Sequence, residues 1–167
     1  GITTEPRTPN NVSVTVTVAA PVIRQITTTD LTAVIVTLTW PALQFFRDGD
    51  ILGDTVRYQI QVQHDSGGYA VKIEDEVSGR SADAYSKDHR IELTAGYTTV
   101  DIKVVRLTAD STDANRINSF QFTSFQEVLD NQSNYPNSAY TSIRLDSKQF
   151  SSIPSRKFRL RGIKVKI

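Results

Sequence analysis

The 167-residue chain has no cysteine. That excludes disulfides, thiolate metal sites and a cysteine nucleophile, and folding needs no oxidising compartment. It has no methionine either, not even at position 1, so it reads as an internal piece of a longer protein. No apolar run approaches the ~20 residues of a membrane-spanning helix, and no membrane insertion is expected. The first ten residues are polar, with Pro6 and Pro9, and lack a signal-peptide core. Helical spacing is nearly missing too: only 124–131 has the pattern of a short helical turn.

What is present is strand periodicity. Val12, Val14, Val16 and Val18 alternate with Ser13, Thr15 and Thr17. Val56, Tyr58, Ile60 and Val62 alternate with Arg57, Gln59, Gln61 and Gln63, a strand with one dry and one wet face. Val100, Ile102 and Val104 repeat the pattern against Asp101 and Lys103. Weaker sets are Tyr69, Val71 and Ile73, which come after the turn at 65–68, and His89, Ile91 and Leu93. Phe120 and Phe122 open a strand that loses its phase by Phe125. Val34, Val36, Leu38 and Trp40 share one face of 31–40, with Ala33 and Ile35 on the other. That density predicts a central strand covered on both sides for part of its length. Turn signals recur at 48–50, 52–54, 66–68, 78–79 and 95–96. Strands and turns in this rhythm predict an all-β fold, a β-sandwich.

Charge divides the chain. Net charge is +1, but residues 144–167 hold eight Lys/Arg against Asp146 alone, a net +7, leaving −6 for the rest. Between the two lies the polar, Pro-containing stretch 130–138, DNQSNYPNS, which reads as a linker. In the basic part Phe158 and Leu160 are in one phase, and Ile163, Val165 and Ile167 in the other. A bulge at Arg161-Gly162 would bring both sets to one face. The expected organisation is an N-terminal segment or strand at 1–19, a sandwich at 20–130, a linker at 131–138, and strands of an adjacent domain at 139–167. Residues 11–18 are candidates to join that last group.

Two passages carry a resemblance. Leu38-Thr39-Trp40-Pro41 and Val56-Arg57-Tyr58-Gln59-Ile60 resemble the second and third strands of a fibronectin type III, immunoglobulin-like sandwich, with its core Trp and Tyr. The chain departs from that family at the next landmark, a corner tyrosine, because Tyr97 stands three residues before the inward Val100. The stretch 100–111, VDIKVVRLTADS, and the stretch 140–150, YTSIRLDSKQF, followed by Ile153-Pro154 and 159–165, resemble the tail-tip attachment (host specificity) protein J family of lambda-like bacteriophages. Pro21-Val22-Ile23-Arg24-Gln25-Ile26 is similar as well, so the resemblance covers roughly 20–167.

That resemblance implies a structural part of a large protein that is trimeric at the tail tip of the virion. Such a protein is made in the bacterial host cytoplasm and serves host attachment and DNA delivery. Its N-terminal half forms a hub decorated by inserted β-domains, and the matching segments belong to that half. Receptor contact, a property of the far C-terminus, is not implied here. Expected partners are other tail-tip proteins and copies of itself, and residues 139–167 would be partial hub strands.

No catalytic, cofactor or metal residue is expected. Asp48, Asp50 and Asp54 could surround a cation, but no Glu occurs after them at EF-hand distance, and Asp and Gly are turn formers. His64 ends a strand beside a Gly turn, where exposure is expected; His89 has strand phase, and no nucleophile-elbow pattern surrounds any serine. The basic run 156–166 could attract nucleic acid, yet its only aromatic is Phe158, and alternating Lys/Arg is how an exposed sheet stays soluble. Nucleic acid is therefore not an expected partner. The alternative to a structural role is a sandwich that binds carbohydrate or a host surface protein through loop aromatics, with Tyr69, Tyr85, Tyr97 and Tyr135 as candidates.

Overall fold

The computed structural model describes residues 7–129. The chain divides into two units near Gln132, and all described residues belong to the first. The β-branched and aromatic alternation forms eleven strands there: β1 (Arg7–Thr15), β2 (Val22–Ile26), β3 (Ala33–Trp40), β4 (Gln44–Arg47), β5 (Asp50–Leu52), β6 (Asp54–His64), β7 (Ala70–Gly79), β8 (Tyr85–Glu92), β9 (Val100–Arg106), β10 (Arg116–Ile117) and β11 (Gln121–Val128). They make two four-stranded sheets, β1-β11-β3-β8 and β2-β9-β6-β7, and a small third sheet, β10-β4-β5. All pairings are antiparallel.

The core lies between the two large sheets. β3 contributes Val34, Val36, Leu38 and Trp40, β6 contributes Val56, Tyr58, Ile60 and Val62, and β9 contributes Val100, Ile102 and Val104, all essentially inaccessible. Trp40 packs against Phe120 at 5.3 Å and Tyr58 at 5.5 Å between ring centroids. Burying each such side chain contributes about 1.5–3 kcal/mol. Ala33 and Ile35, on the opposite face of β3, form a second buried cluster with Val128. The expected two-sided coverage of this central strand is present.

Three local expectations are corrected. Residues 124–128 are strand, part of β11, with no helical turn. A register shift between Phe122 and Ser124 leaves Thr123 as an extra residue against β3. The bulge returns Phe125 to the core face, opposite Val36, while Val128 lies opposite Ala33 on the other face. An apolar spacing of three thus arose from a bulge and a face change. In β7, a shift leaves Lys72 as the extra residue, so Val71 pairs with Gln61 on the wet face and is exposed, while Ile73 packs against the core. Finally, within the segment expected at 1–19, residues 7–16 are part of the sandwich. β1 pairs with β11, and Val16, whose N–H donates to the Phe120 carbonyl at 3.0 Å, is buried in the core. The strands expected at 139–167 lie outside the described residues.

Register distinguishes the two ends of the sandwich. At one end Arg7 pairs with Val128, and Val128 with Ala33, so the chain enters and leaves side by side. At the far end Trp40 pairs with Tyr85, and Gln121 with both Thr15 and Thr39. Four connections gather at the far end: 16–21, 41–53, 80–84 and 107–120. They are laced together. Leu43 bridges Ser81, β10 pairs with β4, the Phe46 N–H donates to the Asn115 carbonyl at 2.8 Å, and the Val18 N–H donates to Asp110 Oδ2 at 3.0 Å.

Candidate functional site

Two polar assemblies stand out in the sandwich. The first bridges the two sheets where β7 and β8 form their edges. Tyr58 Oη lies 2.8 Å from His89 Nε2 and 3.2 Å from Asp75 Oδ2, and Lys87 Nζ lies 2.6 Å from the same carboxylate oxygen. Burial pushes the Tyr58 hydroxyl far above its ordinary value, and the nearby Asp75 charge adds to this. Burial holds the His89 imidazole below its ordinary value, against the opposing pull of Asp75 at 3.9 Å. For Asp75, burial acts upward, but the Lys87 ammonium and hydrogen bonds outweigh it and hold the carboxyl low. With Asp75 ionised, the single hydroxyl hydrogen of Tyr58 goes to the carboxylate. A neutral His89 then carries its hydrogen on Nε2 and donates to the tyrosine oxygen. No serine hydroxyl is hydrogen-bonded to His89 among the described residues, so this arrangement ties two sheets together without the nucleophile that a triad needs.

Beside it, a groove of about 390 Å³ opens over Trp40, Leu43, Val77, Arg80, Tyr85 and Lys87. Trp40 Nε1 is buried and has no acceptor among the described residues.

The second assembly is the guanidinium of Arg106, buried at the end of β9. It donates from Nε to the Thr108 carbonyl at 2.8 Å and from Nη1 to the Asn118 carbonyl at 2.8 Å. From Nη2 it donates to Asn118 Oδ1 at 3.0 Å and the Ala109 carbonyl at 3.4 Å. Asp110 Oδ1 pairs with Nε at 3.1 Å, and the Phe120 ring lies 5.7 Å from the guanidinium carbon. Asn118 passes the network on to Asp54 Oδ2 at 2.9 Å. Burial lowers the Arg106 pKa, opposed by Asp110 and Asp54. With its donors engaged by loop carbonyls, Arg106 organises the far-end connections. Its position was readable: it continues the inward phase of Val100, Ile102 and Val104.

The other residues considered from sequence scatter. Asp48 and Gly49 both have positive φ, 53° and 88°, in a two-residue turn between Arg47 and Asp50, a type I′ hairpin. Asp54 is turned away into the Arg106 network and lies 3.6 Å from Arg116 Nε. His64 is partly buried, its ring 5.4 Å from that of Tyr97. Tyr97 is buried and donates to the Leu31 carbonyl at 3.2 Å, a bond across the sandwich end in place of a corner bond. Tyr69 is partly covered, with Lys103 Nζ 4.7 Å from its ring centroid. Tyr85 alone of the described candidates is exposed, and it stands at the opposite end from Tyr69 and Tyr97. These tyrosines therefore form no common platform. Tyr135 and the basic run 156–166 lie outside the described residues.

An antiparallel two-sheet sandwich with a Trp–Tyr core and structural polar clamps is a fibronectin type III-like β-sandwich. Residues 7–131 match the family model described as "Tip attachment protein J, FNIII-A domain". The chain belongs to this family, whose members are structural phage proteins. It is 36% identical over 149 residues to a Tip attachment protein J of Escherichia phage SECphi4, covering 88% of the chain and 13% of that relative. It is 29% identical over 137 residues to a Tip attachment protein J of Escherichia phage SECphi27, covering 81% and 12%. The chain thus spans about an eighth of these relatives. Among solved structures, a protein from Sulfurospirillum deleyianum aligns at a TM-score of 0.38 with 10% identity, over 77% of the chain and 99% of that protein. The receptor binding domain of the spike protein P1 from bacteriophage PM2 aligns at 0.35 with 13% identity, over 69% and 87%.

Proposed function

We propose that the chain is a non-catalytic sandwich mounted on a phage tail-tip protein, residing in the virion and serving the architecture of the tip through which host attachment and DNA delivery proceed. The observation that carries this reading is the pairing of β1 with β11. Because Arg7 lies opposite Val128, a longer polypeptide can emit and recover the domain at one place, which is how a domain is inserted without disturbing its host. Residues 139–167 would then return the chain to the hub, their +7 patch meeting an acidic neighbour. Contacts with other tail proteins, and trimerisation through the remainder of the parent protein, complete the reading.

The test is imaging of tails labelled with an antibody raised against residues 7–129. Label confined to the tail tip is expected. Label along the tube, or none on intact particles that contain the protein, rejects the assignment.

A further inference from the structure

Exposed apolar side chains are unevenly distributed over this domain. Nine large ones are exposed among the described residues. Six of them, Val18, Phe46, Ile51, Leu52, Tyr85 and Leu107, fall on or beside the four connections at the far end. Val14 and Ile23 lie in β1 and β2 one residue from the strand ends that border the same connections. Of the nine, only Val71 lies toward the end where the chain enters and leaves. Scattered exposed apolar residues need no explanation, but a concentration on one end marks a contact surface.

The centre of this surface is the β4–β5 hairpin. Phe46 and Ile51 are cross-strand partners, as are Phe45 and Leu52. The hairpin is held rather than loose: β10 pairs with β4, Arg116 lies 4.5 Å over the Phe45 ring, and Arg80 donates to the Ile51 carbonyl at 3.1 Å. A rigid apolar ribbon of this kind loses little freedom on docking.

Charge identifies the occupant. Two arginines of these connections are engaged within the domain, Arg80 by Ile51 and Arg116 by Asp54 and Phe45. Arg47 and Asp48, 3.5 Å apart and both largely open to solvent, offset each other. The carboxylates of Asp50 and Asp83 have no ion-pair partner among the described residues. Free carboxylates around an apolar centre repel phosphate, so neither a nucleic acid nor an anionic lipid surface fits. A protein with an apolar patch rimmed by Lys or Arg does.

We propose that the far end of the sandwich is a docking surface for one kind of partner, a protein segment that presents an apolar patch rimmed by Lys or Arg. This rests on the tail-tip reading above. The test uses the full-length parent protein in assembled particles. Benzoylphenylalanine is placed at 46 or 51, with position 71 as control, and adducts are read by mass spectrometry after irradiation.

Adducts at 46 and 51 to a Lys/Arg-rich protein segment, and not at 71, are expected. Replacing Phe46 or Ile51 by the crosslinker alters the surface itself, so adduct formation from position 85 is also compared with and without Ile51→Asp. A loss of roughly tenfold is expected if residue 51 is a contact anchor. Adducts joining equivalent domains of two copies, adducts to DNA, or none at 46 and 51 overturn the proposal. Absence of the parent protein from the particles would instead defeat the tail-tip reading beneath it.

Discussion

Tyr58 Oη and His89 Nε2, 2.8 Å apart, join a strand of one sheet to the edge strand of the other. The contact is buried; burial favours the neutral imidazole, and the Lys87 ammonium keeps Asp75 ionised. This makes the sandwich edge responsive to protons. Unfolded histidine titrates near 6.5, and His89 in the fold titrates below that value. Between the two values the unfolded chain holds the extra proton, so stability is complete above pH 6.5 and falls as pH drops toward the folded value. Asp75 adds nothing in that window. Its lowered carboxyl contributes above the unfolded value of 3.8, and that contribution is lost only at lower pH. Urea midpoints at about pH 7 and about pH 5 should show the decline. His89→Gln keeps an amide donor without an acid and should flatten it; an unchanged slope in that variant would refute the assignment.

Removing the Tyr58 hydroxyl isolates the same bridge. Tyr58→Phe leaves the His89 N–H without its acceptor in a buried position, which costs about 1–3 kcal/mol. Equilibrium denaturation measures it. A neutral effect would mean that water or a shifted side chain replaces the hydroxyl.

Trp40 is the sole tryptophan and is completely buried against Tyr58 and Phe120. Its emission should be blue-shifted in the fold and move to the red on unfolding. Trp40→Ala should cost about 3–5 kcal/mol. Emission like that of free indole in the folded protein would contradict the placement of this ring.

Much of this core was legible because alternation exposes a strand directly. Val56 to Val62 and Val100 to Val104 needed only their period of two, and Val34 to Trp40 announced a central strand by carrying apolar residues on both faces. Pairing partners were not legible. Nothing local in Val12 to Val16 says that this segment lies beside β11, because that contact joins residues more than a hundred positions apart. Single-residue insertions were hidden as well. Lys72 and Thr123 each break the phase of their strand, which turned Val71 outward and hid the strand within the stretch 124–131 that reads as a helical turn. Of the polar assemblies, Arg106 could be placed inward by phase. The meeting of Tyr58, Asp75 and His89 required knowing which sheet edges face each other.

Arg106 should be among the costliest polar positions to change. One guanidinium serves the carbonyls of Thr108, Ala109 and Asn118 and the carboxylate of Asp110, all in the connection between β9 and β11. Arg106→Ala leaves these acceptors and the Asp110 charge without their partner, a loss of about 3–5 kcal/mol. Arg106→Lys restores charge but not the planar fork, so it should recover only part. Hydrogen exchange across 107–118 should speed up in both variants, more in the first. Unchanged exchange there would show that the connection holds itself without the arginine.

Thr123 tests whether the bulge in β11 is required by the fold. It is the extra residue against β3, and two residues of β1, Val12 and Ser13, stand across from it. Deleting Thr123 joins Phe122 directly to Ser124, whose partners Leu38 and Thr37 are already neighbours on β3, so the β3–β11 ladder becomes regular and Phe122, Phe125 and Val128 keep their faces. On the other side the deletion leaves Val12 and Ser13 of β1 with no residue across from them. The deletion variant should therefore still unfold cooperatively, with faster hydrogen exchange confined to the β1–β11 pairing. Thr123→Ser keeps the residue count and the hydroxyl that donates to Thr39 Oγ1 at 2.7 Å, and should melt close to the parent. A deletion variant that loses cooperative unfolding would show that the fold requires the extra residue.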